Sequence, residues 1–254
     1  MRRVPFKSRL AIQSPLYGIW AALGEAVTAE VCAAARFDWI CIDAEHGPNS
    51  TRSVLAQLQA VAAYPVDPVV RLPNHDRSLI KRYLDIGATS LLVPFVDSAE
   101  QAADIVSATR YPPMGQRGVG AGLGRVSAWG ADADYLTVAS EAVTVIAQIE
   151  SEQGLQSLER ICETPGVDAV FFGPADIAAS LGALGDVGNP KVCAAVLGGI
   201  ETATALGMPS GVYTSDPGFI SAARKAGTSL IAACSDVSLL AGGAREARAR
   251  LMSD

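Results

Sequence analysis

The sequence predicts an α/β fold of the TIM (β/α)8 barrel type, and three observations support that prediction. Short apolar runs rich in β-branched and aromatic residues alternate with longer Ala- and Leu-rich stretches of helical spacing, as in parallel strands joined by helices. Eight such runs occur, and 254 residues is a typical length for eight β-α units. No internal repeat or Pro/Ser-rich linker interrupts the chain, so residues 1–254 are expected to form a single domain.

The first half of the chain contains four predicted strands. Each is a run of Val, Ile, Leu or aromatic side chains that stops near a polar, Gly or Pro residue. Amphipathic stretches at Arg77–Gly87 and Ala99–Thr109 follow the third and fourth strands, and the first of these ends in the glycine typical of a helix C-terminus. The four strands are Leu16–Leu23, Phe37–Glu45, Pro68–Leu72 and Ser90–Val96.

The second half of the chain repeats the pattern after a long Gly-rich excursion. Helical spacing is clearest at Gly154–Glu163 and Pro217–Gly227. The excursion, Gly115–Gly130, is interpreted either as a shaped loop over one end of the barrel or as a plain connector. The strands are Thr144–Glu150, Ala169–Gly173, Ser210–Thr214 and Ser229–Ser235.

A doubly wound open sheet is the alternative fold. It needs fewer strands and usually carries a G-x-G-x-x-G fingerprint after the first one. The alternating glycines of the excursion do not complete that fingerprint, because Leu123 and Arg125 occupy the positions that would need glycine. The barrel is therefore preferred.

Composition excludes two classes of partner. The chain has 20 Lys+Arg against 26 Asp+Glu and no local basic block, so binding of nucleic acid or anionic lipid is not expected. No apolar stretch approaches the roughly 20 residues of a membrane helix. The first residues, Met1–Gln13, lack the apolar core of a secretion signal, and a cytoplasmic location is expected. The five cysteines form no C-x-x-C pair and are interpreted as reduced, mostly buried thiols.

Polar side chains gather where the predicted strands end, which is where barrel enzymes place their chemistry. The second strand leads into Asp43 and His46, and the third ends at Arg71. In the fifth, alternation points Gln148 and Glu150 to the same side.

Asp176 follows the sixth strand. Singly, each of these polar residues has a structural explanation. Asp176 could cap the next helix, Asp43 could belong to a turn, and Arg71 could pair with Glu150. Such explanations would have to hold at every strand end together, so convergence on one site is preferred.

Two carboxylates from different strands with an amide beside them form an oxygen-rich, incompletely filled site that suits Mg²⁺ or Mn²⁺, with Co²⁺ as a further option. Open positions on such an ion fit a chelating 2-oxo acid. Arg71 would stabilise the enolate formed when a proton leaves that ligand. His46 is the candidate base, oriented by Asp43, acting directly or through a bound water.

The lysines exclude imine chemistry at the site. An imine-forming aldolase needs a lysine amine at the end of a strand. The chain has lysines only at positions 7, 81, 191 and 225, which fall in the N-terminal arm or on predicted helices.

Five blocks of sequence together resemble the HpcH/HpaI aldolases, which are metal-dependent pyruvate aldolases of the 4-hydroxy-2-oxoheptanedioate type. The similarity runs from about Leu16 to Leu240, and the Arg110–Gly120 string is its most specific part. The blocks are Asp43-Ala-Glu-His46-Gly-Pro-Asn49, Arg71, Arg110-Tyr-Pro-Pro-Met-Gly-Gln-Arg117-Gly-Val-Gly120, Gln148-Ile-Glu150-Ser and Gly173-Pro-Ala-Asp176.

The resemblance implies roles for individual residues. Glu150 and Asp176 would ligate the divalent ion, and Gln148 and Arg71 would contact pyruvate. The backbone amides of Ala175 and Asp176 would hold the pyruvate carboxylate, in keeping with the anion affinity of helix starts. His46 and Asp43 would form the acid/base pair.

The resemblance also implies an assembly and indicates two departures from the family. A homohexamer is expected, with the Arg245–Met252 helix packed on a neighbouring subunit. The Asn74-His75-Asp76 turn and the Cys234-Ser235-Asp236 segment differ from the family and are expected to border the aldehyde pocket. Trp20 is interpreted either as a wall of the substrate pocket or as a packed core aromatic.

The sequence therefore predicts a lyase that adds the enolate of pyruvate, or of a close 2-oxo acid, reversibly to an aldehyde. One alternative is decarboxylation of oxaloacetate-like acids through the same enolate. A metal-binding barrel without catalysis is the other, and it is disfavoured because base, ligands and oxyanion donor are all present.

Overall fold

The described part of the protein, residues 4–10 and 15–252 of a computed structural model, forms a closed barrel of eight parallel strands with helices outside it. Each strand pairs with its neighbours in the chain, and the eighth closes on the first. This confirms the predicted TIM-barrel fold. The strands are β1 Leu16–Ala21, β2 Trp39–Asp43, β3 Asp67–Arg71, β4 Ser90–Val93, β5 Thr144–Ile149, β6 Ala169–Phe172, β7 Ser210–Tyr213 and β8 Leu230–Ser235.

Twelve α-helices accompany the strands in this part of the chain. Several begin at side-chain caps: Ser50, Asp76, Ser98 and Asp216 each accept a backbone N–H of the first helical turn. The helices are α1 Phe6–Leu10, α2 Ala26–Ala34, α3 Thr51–Ala60, α4 Arg77–Asp85, α5 Ala99–Thr109, α6 Tyr135–Ala142, α7 Glu152–Gln156, α8 Leu158–Cys162, α9 Pro174–Ser180, α10 Pro190–Ala205, α11 Pro217–Ala226 and α12 Asp236–Leu251.

The predicted elements needed small corrections. The stretch Gly154–Glu163 is two short helices, α7 and α8, divided at Ser157. The last helix begins at Asp236 rather than at Arg245, because Ser235 caps it and forms a capping box with Ser238. The cysteines among the described residues are free, and three of the five are buried. In residues 4–10 and 15–252, no helix is both long and apolar enough to cross a membrane.

Two apolar layers hold the barrel together. One fills its interior with aromatic side chains, among them Trp20, Trp39 and Phe171, whose rings meet at centroid distances of 5.7 to 6.2 Å. Gly18 is required beside Trp39, because a Cβ there would lie 2.2 Å from the indole ring. The other layer packs the outer faces of most strands against the surrounding helices.

The end of the barrel where the strands begin is closed by α1. Its buried Phe6 and Leu10 join the interior apolar cluster. Arg9 forms ion pairs with Asp38 and Asp67, at the starts of β2 and β3.

The Gly115–Gly130 excursion lies near this same end. Two short 3-10 turns, Ala121–Leu123 and Arg125–Ser127, fold it against the end of α4. The buried guanidinium of Arg117 donates to Asp85 at 2.8 Å and to the Tyr135 hydroxyl at 3.1 Å. Of the two interpretations, a shaped loop describes it better than a plain connector does.

Candidate active site

Side chains from five strand ends meet at the mouth of the barrel opposite α1. Because parallel strands end on the same side, the polar residues that follow them share one surface. β2 and β3 end on adjacent paired residues, Asp43 and Arg71. The fifth and sixth strands supply Glu150 and Asp176, as predicted, and Trp20 comes from the first.

Arg71 is held by carboxylates on two sides. Its Nε and Nη2 donate to the two carboxylate oxygens of Asp43 at 2.9 and 2.6 Å, a bidentate pair. Its Nη1 lies 2.9 Å from Oε2 of Glu45. The Arg71 and Asp43 side chains are 9% and 2% exposed, so the guanidinium is fixed in orientation.

The ion pair sets the protonation state of Asp43. Burial alone would raise the pKa of this carboxyl. Hydrogen bonds and charge from Arg71, with the backbone amides of Glu45 and His46, outweigh burial and hold the pKa below its usual value. The surroundings of Asp43 therefore favour its ionised form.

Trp20 is buried beneath this ion pair rather than standing at the surface of the mouth. Its indole Nε1 donates to Asp43 at 3.3 Å, and the Arg71 Cζ lies 5.2 Å from the centre of its ring. The ring also packs edge-on against Tyr213 at 5.5 Å. Of the two interpretations made from the sequence, these contacts favour the packed aromatic.

His46 lies on the loop after β2, and its side chain is 66% exposed. Asp43 accepts a hydrogen bond from the backbone amide of His46 at 3.2 Å, and this is the bond the structure shows between the two residues. The imidazole Nε2 is 3.9 Å from a carboxylate oxygen of Glu45. Asp43 thus orients the loop that carries the ring, whereas the sequence suggested that it would orient the ring itself.

Glu150 and Gln148 point to the same side of β5, as the alternation predicted. Gln148 Nε2 donates to Glu150 Oε1 at 2.6 Å, and the backbone amide of Phe95 donates to Oε2 at 3.2 Å. Both side chains are buried. Gly173 leaves room for this carboxylate, because a Cβ at Gly173 would lie 2.6 Å from Oε1.

Asp176 and Ala175 occupy the first turn of α9, which Pro174 begins. Gly173 is the N-cap residue and makes no side-chain cap bond, so Asp176 is not the cap. Asp176 is near enough to Glu150 and Glu45 for its charge to raise the pKa of both carboxyls. The sixth strand therefore brings Asp176 to the same mouth as the other candidates.

The mouth holds more carboxyl groups than cationic side chains. Burial, followed by repulsion from Glu45 and Asp176, raises the pKa of Glu150 to about 8. Burial also raises the pKa of Glu45, despite the neighbouring Arg71. Four carboxyl groups thus share the mouth with one guanidinium, and a bound cation would favour their ionised forms.

The donor set fits a divalent cation held by few protein ligands. No group of three or more His, Cys, Asp and Glu suited to a metal occurs among residues 4–10 and 15–252. A two-carboxylate site, as the sequence predicted, is compatible with that result. The buried Oε1 of Gln148 has no hydrogen-bond partner within this part of the chain, so an uncompensated acceptor lies next to Glu150. Oxygen donors of this kind suit Mg²⁺ or Mn²⁺.

No lysine accompanies these groups. Lys7 lies on α1 and pairs with Asp168 at 3.6 Å at the opposite end of the barrel. Lys81, Lys191 and Lys225 lie on α4, α10 and α11. The prediction that the lysines lie in the N-terminal arm or on helices, away from the strand ends, is confirmed by this placement.

The two segments expected to differ from the family, Asn74–Asp76 and Cys234–Asp236, each lie at the start of a helix. Asp76 accepts the amides of Ser78 and Leu79 and so starts α4, and His75 before it is exposed. Asp236 accepts the amides of Ala22 and Leu23 at 2.9 and 3.1 Å, tying the start of α12 to the end of β1.

Sequence reasoning missed two participants. Glu45 contacts both Arg71 and His46, and it could have been found because it lies two residues after Asp43. The Phe95 amide, which donates to Glu150, left no signal, since every residue except proline has such a group. Phe95 takes a left-handed conformation with φ of 51°, which is uncommon for a side chain of its size.

A family model described as HpcH/HpaI aldolase/citrate lyase matches residues 16–242. A hydroxypyruvate/pyruvate aldolase of Cupriavidus necator is 50% identical over 242 residues, covering 95% of this chain and 90% of the relative. A 4-hydroxy-2-oxo-heptane-1,7-dioate aldolase of Salmonella arizonae is 42% identical over 245 residues, covering 96% and 93%.

Solved structures show the same fold. An HpcH/HpaI aldolase/citrate lyase family protein from Burkholderia cenocepacia superposes with a TM-score of 0.93 at 43% identity, covering 97% of this chain and 98% of that one. A citrate lyase β subunit from M. tuberculosis, complexed with oxaloacetate and magnesium, gives a TM-score of 0.56 at 20% identity, covering 89% and 93%. The second similarity concerns the fold alone.

Proposed function

Because the chain belongs to the HpcH/HpaI aldolase/citrate lyase family, we propose that it is a metal-dependent hydroxy-ketoacid aldolase. It would add the enolate of pyruvate, or of a close 2-oxo acid such as hydroxypyruvate, reversibly to an aldehyde. Family membership makes it a carbon–carbon lyase. The observation that carries the proposal is the mouth of the barrel, where Glu150, Gln148 and Asp176 face a guanidinium fixed by Asp43.

Glu150 and Asp176 would hold the cation, which we propose to be Mg²⁺ or Mn²⁺, with Co²⁺ as a further option. When bound, such a cation supplies a Lewis acid that withdraws electrons from the carbonyl of the 2-oxo acid. Two distant relatives from M. tuberculosis were crystallised with magnesium, one with oxaloacetate and one with pyruvate. Gln148, buried beside Glu150, would contact the substrate, as the family resemblance implies.

Arg71 would stabilise the negative charge that develops on the carbonyl oxygen. Asp43 fixes two of its donors and Glu45 approaches a third, and a guanidinium has five N–H groups. The remaining donors are held in place before the substrate arrives, which is the arrangement that lowers a transition state most effectively. The family resemblance assigns the carboxylate of the 2-oxo acid to the amides of Ala175 and Asp176.

His46 would move the proton. Its exposed imidazole lies on the loop that Asp43 holds, whereas the chain's other histidine, His75, directly precedes the Asp76 cap of α4. It would take a proton from the carbon next to the carbonyl and return it in the reverse reaction. Trp20 would act beneath the site by supporting Arg71 and Asp43.

The test of this function measures enolisation directly. The protein is treated with a chelator, then incubated with pyruvate in D₂O with and without added Mn²⁺ or Mg²⁺, and the methyl protons are followed by NMR. We expect exchange only after metal is restored. Inactivation by borohydride with pyruvate would reveal an imine and overturn the proposal. Consumption of oxaloacetate without addition of pyruvate to a small hydroxyaldehyde would favour the decarboxylase instead.

We extend the proposal to a homohexamer in the cytoplasm, built from one domain per chain. Exposed apolar side chains on α12, including Leu239, Leu240 and Leu251, support packing of this helix on a neighbouring subunit. The five free cysteines support a reducing compartment. Sedimentation velocity of the protein and of Leu240→Glu tests the assembly, and a monomeric unsubstituted protein would refute it.

A further inference from the structure

The loop between β2 and α3 carries Glu45 and His46 but has few bonds to the barrel. The last ladder bond of β2 runs from the amide of Ala44 to the carbonyl of Arg71 at 2.9 Å. Beyond it, Asp43 Oδ1 accepts the amides of Glu45 and His46, which holds the beginning of the loop. Nothing in those bonds fixes the returning half of the loop.

Asn49 holds that returning half. Its Nδ2 donates to the backbone carbonyl of Asp43 at 2.6 Å, and its own amide donates to Gly47 at 2.7 Å. The loop is thereby closed on the residue from which it starts. Gly47 is tightly packed within this closed loop. A Cβ at this position would come within 2.5 Å of the Asp43 carbonyl and 2.8 Å of the Ala22 carbonyl.

Asn49 is in turn held by α3. Its Oδ1 accepts from Gln57 Nε2 at 2.7 Å and from Ser53 Oγ at 2.8 Å. Gln57 is 0% exposed, and its own Oε1 has no hydrogen-bond partner among the described residues. A buried amide oxygen without a partner is unfavourable, so this position costs stability that an apolar side chain would not. What the glutamine supplies is the donor to Asn49.

Closing the loop requires one side chain that donates and accepts hydrogen bonds at the same time. An asparagine amide does both, giving its N–H to the carbonyl and its oxygen to two donors. Aspartate could accept but not donate, and alanine could do neither. The bonds to Asn49 thus form a continuous path from the buried face of α3 to the loop that presents His46.

We propose that Asn49 is a positioning residue for proton transfer, supported by Gln57, because it fixes the loop at residues 44–48 so that the His46 imidazole faces the bound 2-oxo acid. The inference rests on the proposed function for its chemistry. Asn49 itself touches no reacting atom. It acts through the backbone of Asp43 and Gly47.

The kinetic test compares Asn49→Ala and Asn49→Asp with Thr228→Val. The control removes a bond of the same kind, from the buried Thr228 Oγ1 to the Ser210 carbonyl at 3.0 Å, at the opposite end of the barrel, where β8 begins. We expect both Asn49 variants to lower kcat about tenfold while KM for pyruvate and affinity for Mn²⁺ stay within about twofold, since misplacing a catalytic group mainly slows the chemical step. Thr228→Val should keep kcat within about twofold of the unsubstituted protein.

The spectroscopic test needs no activity. The chain has two histidines, so a His75→Asn background leaves the ring protons of His46 as a single set of imidazole signals. We expect one sharp set in that background, and a broadened or shifted set when Asn49→Ala is added. Thr228→Val should leave the set unchanged. If Asn49→Ala does not fold, Gln57→Leu replaces it, with an expected loss in kcat of about threefold and the same change in the signals.

Three results would overturn the inference. Unchanged His46 signals in Asn49→Ala would show that the loop holds its position without the amide. Loss of kcat no larger than in Thr228→Val would show a merely structural role. Equal losses in kcat, pyruvate binding and Mn²⁺ binding would show that the residue supports the whole mouth. Absence of pyruvate exchange in the unsubstituted protein would refute the proposed function, whereas the His46 signals would still decide the role of Asn49.

Discussion

The two ends of the barrel differ in their balance of acidic and basic side chains. Where the strands end, Asp43, Glu45, Glu150 and Asp176 share one mouth with Arg71, and most of these groups are buried. Where the strands begin, Asp38, Asp67 and Asp168 face Arg9 and Lys7, whose side chains are 31% and 26% exposed. The first end has a surplus of carboxyl groups over cationic side chains, whereas the second is more nearly balanced and partly hydrated.

This difference indicates that one end of the barrel serves function and that the other serves folding stability. Ion pairs near water contribute little and need no further partner. Buried like charges destabilise the folded chain unless a ligand compensates them. The surplus at one end is therefore best explained by a cation bound there, and the substitutions below test that contrast.

The largest effect is expected at the Arg71–Asp43 pair. Asp43→Asn should lower the free energy of unfolding by about 3 kcal/mol at pH 7, because it leaves a buried guanidinium without its bidentate partner. Urea unfolding followed by circular dichroism measures the loss. A loss below about 1 kcal/mol, as for an exposed pair, would contradict the buried geometry.

The difference in unfolding free energy between Asp43→Asn and the unsubstituted protein should depend on pH, and the Asp43 pKa sets the direction of that dependence. The pKa of Asp43 is lower in the folded chain than in the unfolded one, where it is close to 4. Its stabilising contribution is therefore complete above about pH 5 and is lost as pH falls through the folded-state pKa. The gap between the unsubstituted protein and Asp43→Asn should narrow below about pH 4, and a constant gap would mean that Asp43 is not the group responsible.

The next largest effect is expected on metal affinity, which should depend on a carboxylate at one end of the barrel and not on one at the other. Asp176→Asn is expected to raise the dissociation constant of Mn²⁺ about 100-fold, because one of two anionic ligands is lost. Asp168→Asn at the other end should leave it within about twofold, since Asp168 contacts Lys7 and the Val145 amide instead. Electron paramagnetic resonance of free Mn²⁺ measures both.

His46→Ala completes that experiment. It should keep Mn²⁺ affinity nearly intact and slow the exchange of pyruvate protons about 100-fold or more. Equal loss of metal in His46→Ala and Asp176→Asn would mean that the base has been misassigned.

A smaller effect is expected from filling the space beside Glu150. Gly173→Ala should weaken Mn²⁺ binding about tenfold, because the added Cβ would lie 2.6 Å from Glu150 Oε1 and must displace that carboxylate. Gly198→Ala is the matched control, since an added Cβ there meets nothing within 4 Å. Unchanged Mn²⁺ affinity in Gly173→Ala would show that Glu150 can move without loss.

Sequence patterns predicted the barrel and the gathering of its polar strand ends, because both follow from periodicity. Alternation in β5 placed Gln148 beside Glu150, and the end of each apolar run placed Arg71 and Asp176 at one mouth. The HpcH/HpaI resemblance, confirmed by the family model, then supplied a chemistry that the spacing alone left open.

The hydrogen bonds within the site could not be predicted from the sequence. Which acceptor an Arg or Asp chooses depends on distances of about an ångström that no periodicity encodes. Asp43 bonds the backbone of His46 and the side chain of Arg71, although sequence proximity suggested the imidazole. The Phe95 amide and the bond from Asn49 to a main-chain carbonyl are likewise invisible in side-chain patterns. The assigned roles of the site residues remain predictions for the substitutions above.

The smallest effect is expected from a substitution at the end of the barrel where the strands begin. Asp67→Asn breaks the ion pair with Arg9, which Asp38 also contacts at 3.2 Å, so the arginine keeps one partner. The pair is partly exposed, and its loss should cost about 0.5 to 1 kcal/mol of unfolding free energy at low salt and less at high salt. Urea unfolding at two salt concentrations measures this, with Mn²⁺ affinity as a second readout expected to stay constant. A change in Mn²⁺ affinity would show that the two ends are coupled through the barrel, and the division between a folding end and a functional end would fail.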